Sequence, residues 1–343
     1  IIYFITMIST KFKTQIVAEI AQSHKGSILL AKKMIKLCSD AGADYVKFQA
    51  HYSKYESTLD ESFRKGFNFK QRTRYEYWKK YQFTKNQWKE LFVFCKKNKI
   101  KFLCSPFSIY SYKLLRSIGL RTWKIGSGEF FSDDLIHEII KKKDKIILST
   151  GLSKLNQISK KVKLFKKNKI DFILLQCTTK YPSSIKNVGV NIMHDFKKKF
   201  KCKVGLSDHS GLIDPGLYTI TNEFNLLEVH VDFKGSRNPD TSSSIDFEKL
   251  KILCDYRNNL QHLKNNKINK DLFFNEVSKL KKNFTKSICL NKKLRKGSKI
   301  QLNDLILKKP GNGIQYKDLK KIVGKTLKKD LDDKRILKWR DFE

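Results

Sequence analysis

Val204-Gly205-Leu206-Ser207-Asp208-His209-Ser210 and Leu226-Leu227-Glu228-Val229-His230-Val231 are two short apolar runs, each ending in polar groups. The stretch between them, Gly211 to Asn225, has room for one helix. A strand, a helix and a second strand make two parallel neighbours, because a parallel pair needs a crossover connection. His209 and His230 then fall at the same, C-terminal end of adjacent strands. Two neutral imidazoles placed there can share one divalent metal. The plainer reading is a pair of core histidines with unrelated hydrogen bonds. In a chain of only seven histidines, the matched positions set the metal reading level with it.

Outward from this unit the same alternation recurs. Strands are expected at Gln15–Ala21, Tyr45–Gln49, Lys101–Phe107, Thr122–Ser127, Lys145–Thr150 and Phe172–Thr178, then at Lys203–His209 and Leu226–Val231. The segments between carry 3.6-period apolar faces, such as Leu29, Met34, Ile35 and Leu37, with Gly42 placed to end that helix. Eight strand–helix repeats within about 250 residues predict a TIM (β/α)8 barrel. The rival is an open doubly wound sheet, weakened because no G-x-G-x-x-G turn follows any strand. A long aromatic and charged excursion, Ala50 to Gln82, reads as a lid or wall of the site. The barrel is expected over residues 14–264. A polar, Lys/Asn-rich and weakly helical linker follows over 265–285, and a small unit with short apolar pieces occupies 286–343. The small unit is short for independent stability.

The net charge of +39 is extreme, but the lysine runs fall late in expected helices, where they suit the negative helix end. Nucleic-acid binders gather such charge in one patch with interleaved aromatics, so no nucleic-acid partner is expected. A positive field would still steer a small anionic substrate. Seven scattered cysteines without a C-x-x-C pair suit a reducing cytosol and argue against a zinc ribbon. Ile1–Thr10 lacks a basic leader and a cleavage site, and Met7 is a candidate start. No stretch has the length to span a bilayer, so a soluble cytoplasmic protein with no membrane partner is expected.

A barrel collects its polar strand ends on one face. Here they are Glu19, Lys47, Gln49, Ser105, Lys124, Ser127, Glu129, Ser149, Thr150, Thr178, Thr179, Tyr181, Ser207, Asp208, His209, His230 and Asp240. Each hydroxyl alone is an ordinary cap. Together, lysines, hydroxyls and the tight turns Gly126-Ser127-Gly128 and Thr150-Gly151 suit a phosphate or carboxylate ligand.

Several ordered segments resemble the sialic acid synthase family (N-acetylneuraminate synthase and its relatives). They are Ala18-Glu19-Ile20-Ala21-Gln22-Ser23-His24-Lys25-Gly26, Gly42-Ala43-Asp44-Tyr45-Val46-Lys47-Phe48-Gln49 and Trp123-Lys124-Ile125-Gly126-Ser127-Gly128-Glu129. Leu148-Ser149-Thr150-Gly151, Gln176-Cys177-Thr178-Thr179-Lys180-Tyr181-Pro182, Ser207-Asp208-His209 and Lys309-Pro310-Gly311-Asn312-Gly313 complete the set. The resemblance runs from about residue 14 to the end. It implies a barrel joined to an antifreeze-like (SAF) domain, and a metal-dependent transferase. The implied reaction joins phosphoenolpyruvate to N-acetylmannosamine or a related 2-acetamido hexose. By the same resemblance, Lys47, Ser105, Lys124, Ser127, Ser149 and Ser207 hold phosphoenolpyruvate. His209 and His230 bind the metal with Glu19 nearby, and Gln49, Glu129, Tyr181 and Asp240 face the sugar. It also implies a homodimer in which the C-terminal domain crosses to the partner, bringing Lys309 to the sugar.

Departures from the family pattern are Thr179 where some members have Asn, at a phosphate-side contact, Lys309 where many have Arg, and the loop Lys234–Asn238. Lysine lacks the planar fork of arginine, so the sugar contact differs. The chemistry fits the residue types. A divalent metal, Mn2+ first with Mg2+ or Co2+ as alternatives, would polarise the sugar aldehyde. Glu19 or Glu129 would steady the cationic carbon or direct water, and Lys124 would stabilise departing phosphate. Two other readings stand beside this one. One is a Schiff-base aldolase using Lys47 or Lys124, and the other is a non-catalytic sugar- or nucleic-acid-binding barrel.

Overall fold

Apolar runs with no polar alternation form strands buried on both faces, as a parallel sheet covered by helices requires. In the computed structural model, which describes residues 13–61 and 73–343, eight such runs are strands. They are β1 (Gln15–Glu19), β2 (Tyr45–Ala50), β3 (Lys101–Pro106), β4 (Thr122–Ile125), β5 (Lys145–Ser149), β6 (Phe172–Cys177), β7 (Lys203–Asp208) and β8 (Leu226–Val231). Each pairs in parallel with the next, and β8 returns to β1, closing the barrel. Every helix-bearing connection expected between the strands is present, including Asp214–Thr221 between β7 and β8. A two-residue strand, β9 (Ser244–Ile245), adds to β8 beyond the closed ring. Residues Ile1–Thr10 and the middle of the Ala50–Gln82 excursion lie outside the described residues.

Side chains alternate along each strand. Ile16, Ala18, Val46 and Phe48 join the core packed under the helices. Val17, Tyr45, Leu103, Ile147, Ile173, Leu175 and Leu226 form a separate apolar cluster. Two residues further along these same strands stand Glu19, Lys47, Ser105, Ser149, Cys177 and Glu228, on the same face. The barrel interior is therefore apolar at one end and polar at the other. The strand register aligns the polar layer: Glu19 is level with Lys47 and His230, and Ser207 with Glu228.

The helices start on local caps. Ser27 accepts from the Leu30 N–H to open Ile28–Asp40, and Thr84 and Gln87 form a reciprocal capping box on Lys85–Lys97. Such caps fix where each connection ends, and so the length of loop left at the barrel mouth.

The chain divides into two compact units, the second running from Asn265 to Glu343. Its first element is a helix, Lys270–Phe284, in the stretch read as a polar linker. The Asn269 side chain caps it by accepting from the Asp271 and Leu272 N–H groups. An antiparallel pair follows, β10 (Ser287–Leu290) with β11 (Leu305–Lys308). Ile288, Leu290, Ile300, Ile314, Ile322, Leu327 and Leu337 give this unit its own small core. Among the described residues no helix is long and apolar enough to cross a membrane.

Candidate active site

The polar layer opens into a cavity of about 570 Å³, in the range of small-molecule sites. At its floor two buried lysines meet a buried carboxylate. Lys47 Nζ lies 3.2 Å and Lys124 Nζ 3.5 Å from Glu228 Oε1. Ser207 Oγ donates to the same oxygen at 3.0 Å, and Lys124 donates to Ser149 Oγ at 2.7 Å. Glu19 contacts Lys47 from the neighbouring strand and accepts from the Ala21 N–H at 2.6 Å. Burial lowers the pKa of Lys47 to about 8, with Glu228 opposing the shift. Burial alone would raise the Glu228 carboxyl, but Lys124 and Lys47 outweigh it and hold it well below the usual carboxylate range. Two carboxylates and two ammoniums form a neutral, dry cluster. Buried charges persist only when paired in this way.

The two histidines stand beside this cluster with ring centroids 5.2 Å apart, as the matched strand ends require. His209 Nδ1 lies 2.8 Å from the Thr178 carbonyl. A carbonyl only accepts, so Nδ1 carries a proton and Nε2 is the nitrogen left to a metal, the arrangement typical of a metal-ligating imidazole. His230 Nδ1 is buried without a hydrogen-bond partner among the described residues. Burial, then nearby His209, holds the His230 pKa well below its ordinary value, so its ring is neutral. These two donors fit one divalent metal. Among the described residues no cluster of three or more His, Cys, Asp or Glu is placed to ligate, so water or substrate would fill the other positions. Tyr181 packs on the His209 ring at 4.2 Å.

Gly151 ties two walls together. Its N–H donates to Ser127 Oγ at 3.0 Å, and a Cβ there would lie 2.8 Å from that oxygen and 3.1 Å from the Cys177 carbonyl. Only glycine allows this approach. Across the mouth, Glu129 accepts from Ser132 Oγ at 2.6 Å, and burial raises its pKa. Asp240 sits on a loop clasped by buried Asp232. That carboxylate accepts from Asn238 Nδ2 at 2.6 Å and Thr241 Oγ1 at 2.9 Å, and Asn238 also reaches Ser23 Oγ at 3.1 Å.

Of the barrel residues singled out in the sequence, all but Glu19, Thr150, Thr178 and Asp208 line this one cavity. Lys47, Lys124, Ser105, Ser127, Ser149 and Ser207 are at its floor, with Gln49, Glu129, Thr179, Tyr181 and Asp240 around it. Glu19, expected at the reacting carbon, is fully buried against Lys47 instead. Lys309 belongs to the second unit, where it is exposed with its ammonium over the Phe284 ring. Sequence reasoning missed Glu228, although it shares a strand face with His230 two residues on. It also missed His51, Glu56 and Trp78, which line the cavity from the excursion after β2.

A closed barrel with a charged, strand-borne floor and a separate small β-containing unit defines a (β/α)8-barrel protein with an appended C-terminal domain. The chain belongs to the NeuB, or sialic acid synthase, family: that family's sequence model matches residues 34–269, and the SAF domain matches residues 285–343. It is 32% identical to the N,N'-diacetyllegionaminic acid synthase of Campylobacter jejuni over 339 residues, covering 95% of this chain and 99% of that one. It is 29% identical to the pseudaminic acid synthase of the same organism over 346 residues, covering 98% of each. Among solved structures, the N-acetylneuraminic acid synthetase of Leptospira borgpetersenii, in complex with citrate, matches with a TM-score of 0.66 and 26% identity. That match covers 78% of this chain and 91% of the other.

Proposed function

We propose that the protein condenses phosphoenolpyruvate with N-acetylmannosamine or a related 2-acetamido aldose, giving a nonulosonic acid and phosphate. The observation that carries this reading is the paired Lys47 and Lys124 at the cavity floor, beside the paired imidazoles of His209 and His230. The relatives, synthases of nonulosonic acids by name, support it.

In this reading the phosphate and carboxylate of phosphoenolpyruvate lie over Lys47, Lys124, Ser105, Ser127, Ser149 and Ser207. The lysines are already placed and dehydrated, so little reorganisation opposes anion binding. The enol π pair forms the new bond from C3 to the aldehyde carbon, whose oxygen takes up a proton. A metal held by His209 and His230, Mn2+ in the first instance, would polarise that aldehyde as a Lewis acid. Water adds to the electron-poor C2 and loses a proton, for which Glu129 is the cavity-lining carboxylate raised toward a base's range. The C2–O bond to phosphate then breaks, and Lys124 meets the departing charge. Glu19 keeps Lys47 in place from beneath. Gln49, Tyr181 and Asp240 hold the sugar, and Thr179, beside Gly151 and Ser127, stays on the phosphate side.

The test is phosphate release from phosphoenolpyruvate with a panel of acetamido aldoses, before and after chelation. Release that needs both the sugar and a divalent ion is expected. A borohydride-trapped adduct on Lys47 or Lys124, with chelators inert, would replace this reading with a Schiff-base aldolase.

A further inference from the structure

Beyond the strand ends, the helical turn Ser53–Glu56 after β2 places one more acid on the cavity wall. The Glu56 side chain is only 6% exposed. Its Oε1 accepts from the His51 Nδ1–H at 2.7 Å. Its Oε2 is buried and has no hydrogen-bond partner among the described residues. A buried carboxylate oxygen left unpaired is costly.

The imidazole that holds Glu56 is itself immobilised. His51 is stacked between Trp78, at 3.6 Å and 5°, and Phe107, at 4.0 Å and 22°. Its Nε2 lies 3.1 Å from Gln49 Oε1. The Glu56 carboxylate is thus held by an imidazole with little freedom left, the condition for a selective contact. Glu129 also lines this end, and Arg74 there is engaged by Glu61 at 2.7 Å. Among the described residues this wall offers acceptors and negative charge, and no unpaired guanidinium.

We infer that Glu56, held by His51, is an acceptor-binding and specificity-determining residue that takes a hydrogen bond from a hydroxyl or acetamido N–H of the sugar through Oε2. The inference rests on the condensation proposed above. It names the class of acceptor that fits: a neutral aldose rich in donors at this end, with no phosphate ester there. Among the described residues, a phosphate there would meet the carboxylates of Glu56 and Glu129, with Arg74 already engaged by Glu61.

The experiment uses the full-length, Mn2+-supplemented protein and follows phosphate release while each substrate is varied in turn. Glu56→Ala should raise the sugar KM about tenfold to a hundredfold, the weight of a hydrogen bond to a charged group. The phosphoenolpyruvate KM should stay within about twofold. Glu56→Gln, which keeps the shape and removes the charge, should raise the sugar KM less. It should also increase the rate with a 6-phosphorylated acceptor relative to the unphosphorylated one. An active wild type with the Glu56→Ala sugar KM unchanged overturns this inference and leaves the condensation standing. Both KM values rising together would make Glu56 a structural residue and equally overturn it. If Glu56→Ala does not fold, an unaltered preference between the two acceptors in Glu56→Gln decides against it. A wild type that releases no phosphate with any acetamido aldose sinks the condensation and the inference together.

Discussion

The two ends of the cavity are built differently. The floor is carried on strands: Lys47, Lys124, Ser149, Ser207 and Glu228 all stand on the parallel strands of a closed barrel. The opposite wall is carried on connections: His51 and Glu56 on the excursion after β2, Glu129 on a turn after β4, Asp240 on a clasped loop. Strand-borne groups are fixed by the backbone ladder and by burial on every side. Loop-borne groups are fixed by side chains holding other side chains, such as Trp78 and Phe107 around His51. A rigid floor suits a constant anion, and a wall assembled from loops suits an acceptor that differs between relatives.

If that division is right, the largest losses come from the floor. Lys124→Ala removes a buried ammonium from the proposed phosphate end and leaves Glu228 with Lys47 and Ser207. We expect a fall in kcat/KM of about a hundredfold or more. Near wild-type turnover would place the phosphate elsewhere. His209→Ala should keep the barrel folded, because the ring sits beyond the end of β7. It should abolish stoichiometric Mn2+ binding in calorimetry as well as phosphate release. Unchanged Mn2+ affinity in that variant would remove His209 from the metal site.

The same division explains what the sequence made legible. Period and spacing sufficed for the eight strands, since parallel strands read as apolar runs and their polar ends must meet at one face. Lys47, Lys124, His209 and His230 followed from that geometry. Glu228 did not, because it interrupts the run Leu226-Leu227-Glu228-Val229 and nothing local says which face turns inward. Its two-residue offset from His230 was the available signal. His51 and Glu56 carried less signal, because the excursion has neither strand nor helix period and its contacts span dozens of residues. Glu19 was legible as a strand end but not as the support of Lys47. The helix Lys270–Phe284 was hidden by its lysines and asparagines, although Asn269 is a ready N-cap and Phe273, Val277, Leu280 and Phe284 recur at helical spacing.

A test of intermediate size probes where floor meets wall. Gly151→Ala puts a methyl group against Ser127, Thr179 and the Cys177 carbonyl. Backbone on one side cannot yield, so Ser127 and Thr179 must move. A displacement of this kind typically costs about tenfold to a hundredfold in rate. It should appear chiefly in the phosphoenolpyruvate KM, since Ser127 belongs to the floor. An increase confined to the sugar KM would shift the boundary between the two ends.

The smallest effect should come from the clasp behind Asp240. Asn238 spends its amide nitrogen on Asp232 and Ser23, and its amide oxygen accepts from the Asp240 N–H at 3.0 Å. Asn238→Ala leaves Asp232 still accepting from Thr241 and from the Phe233 N–H, so the buried carboxylate is not orphaned. The bonds lost lie behind the cavity lining, so what reaches the sugar is the loosening of Asp240, about 1 kcal/mol, or about fivefold in whatever depends on it. Asp240 lies on the wall, so the sugar KM should rise by that factor while the phosphoenolpyruvate KM and the thermal midpoint barely change. Equal rises in both KM values would mean that the loop steadies the floor as well, and the contrast between a rigid floor and an adjustable wall would fail at this point. A sugar-specific change would show that this chain's departure from the family pattern at Lys234–Asn238 tunes the acceptor end alone.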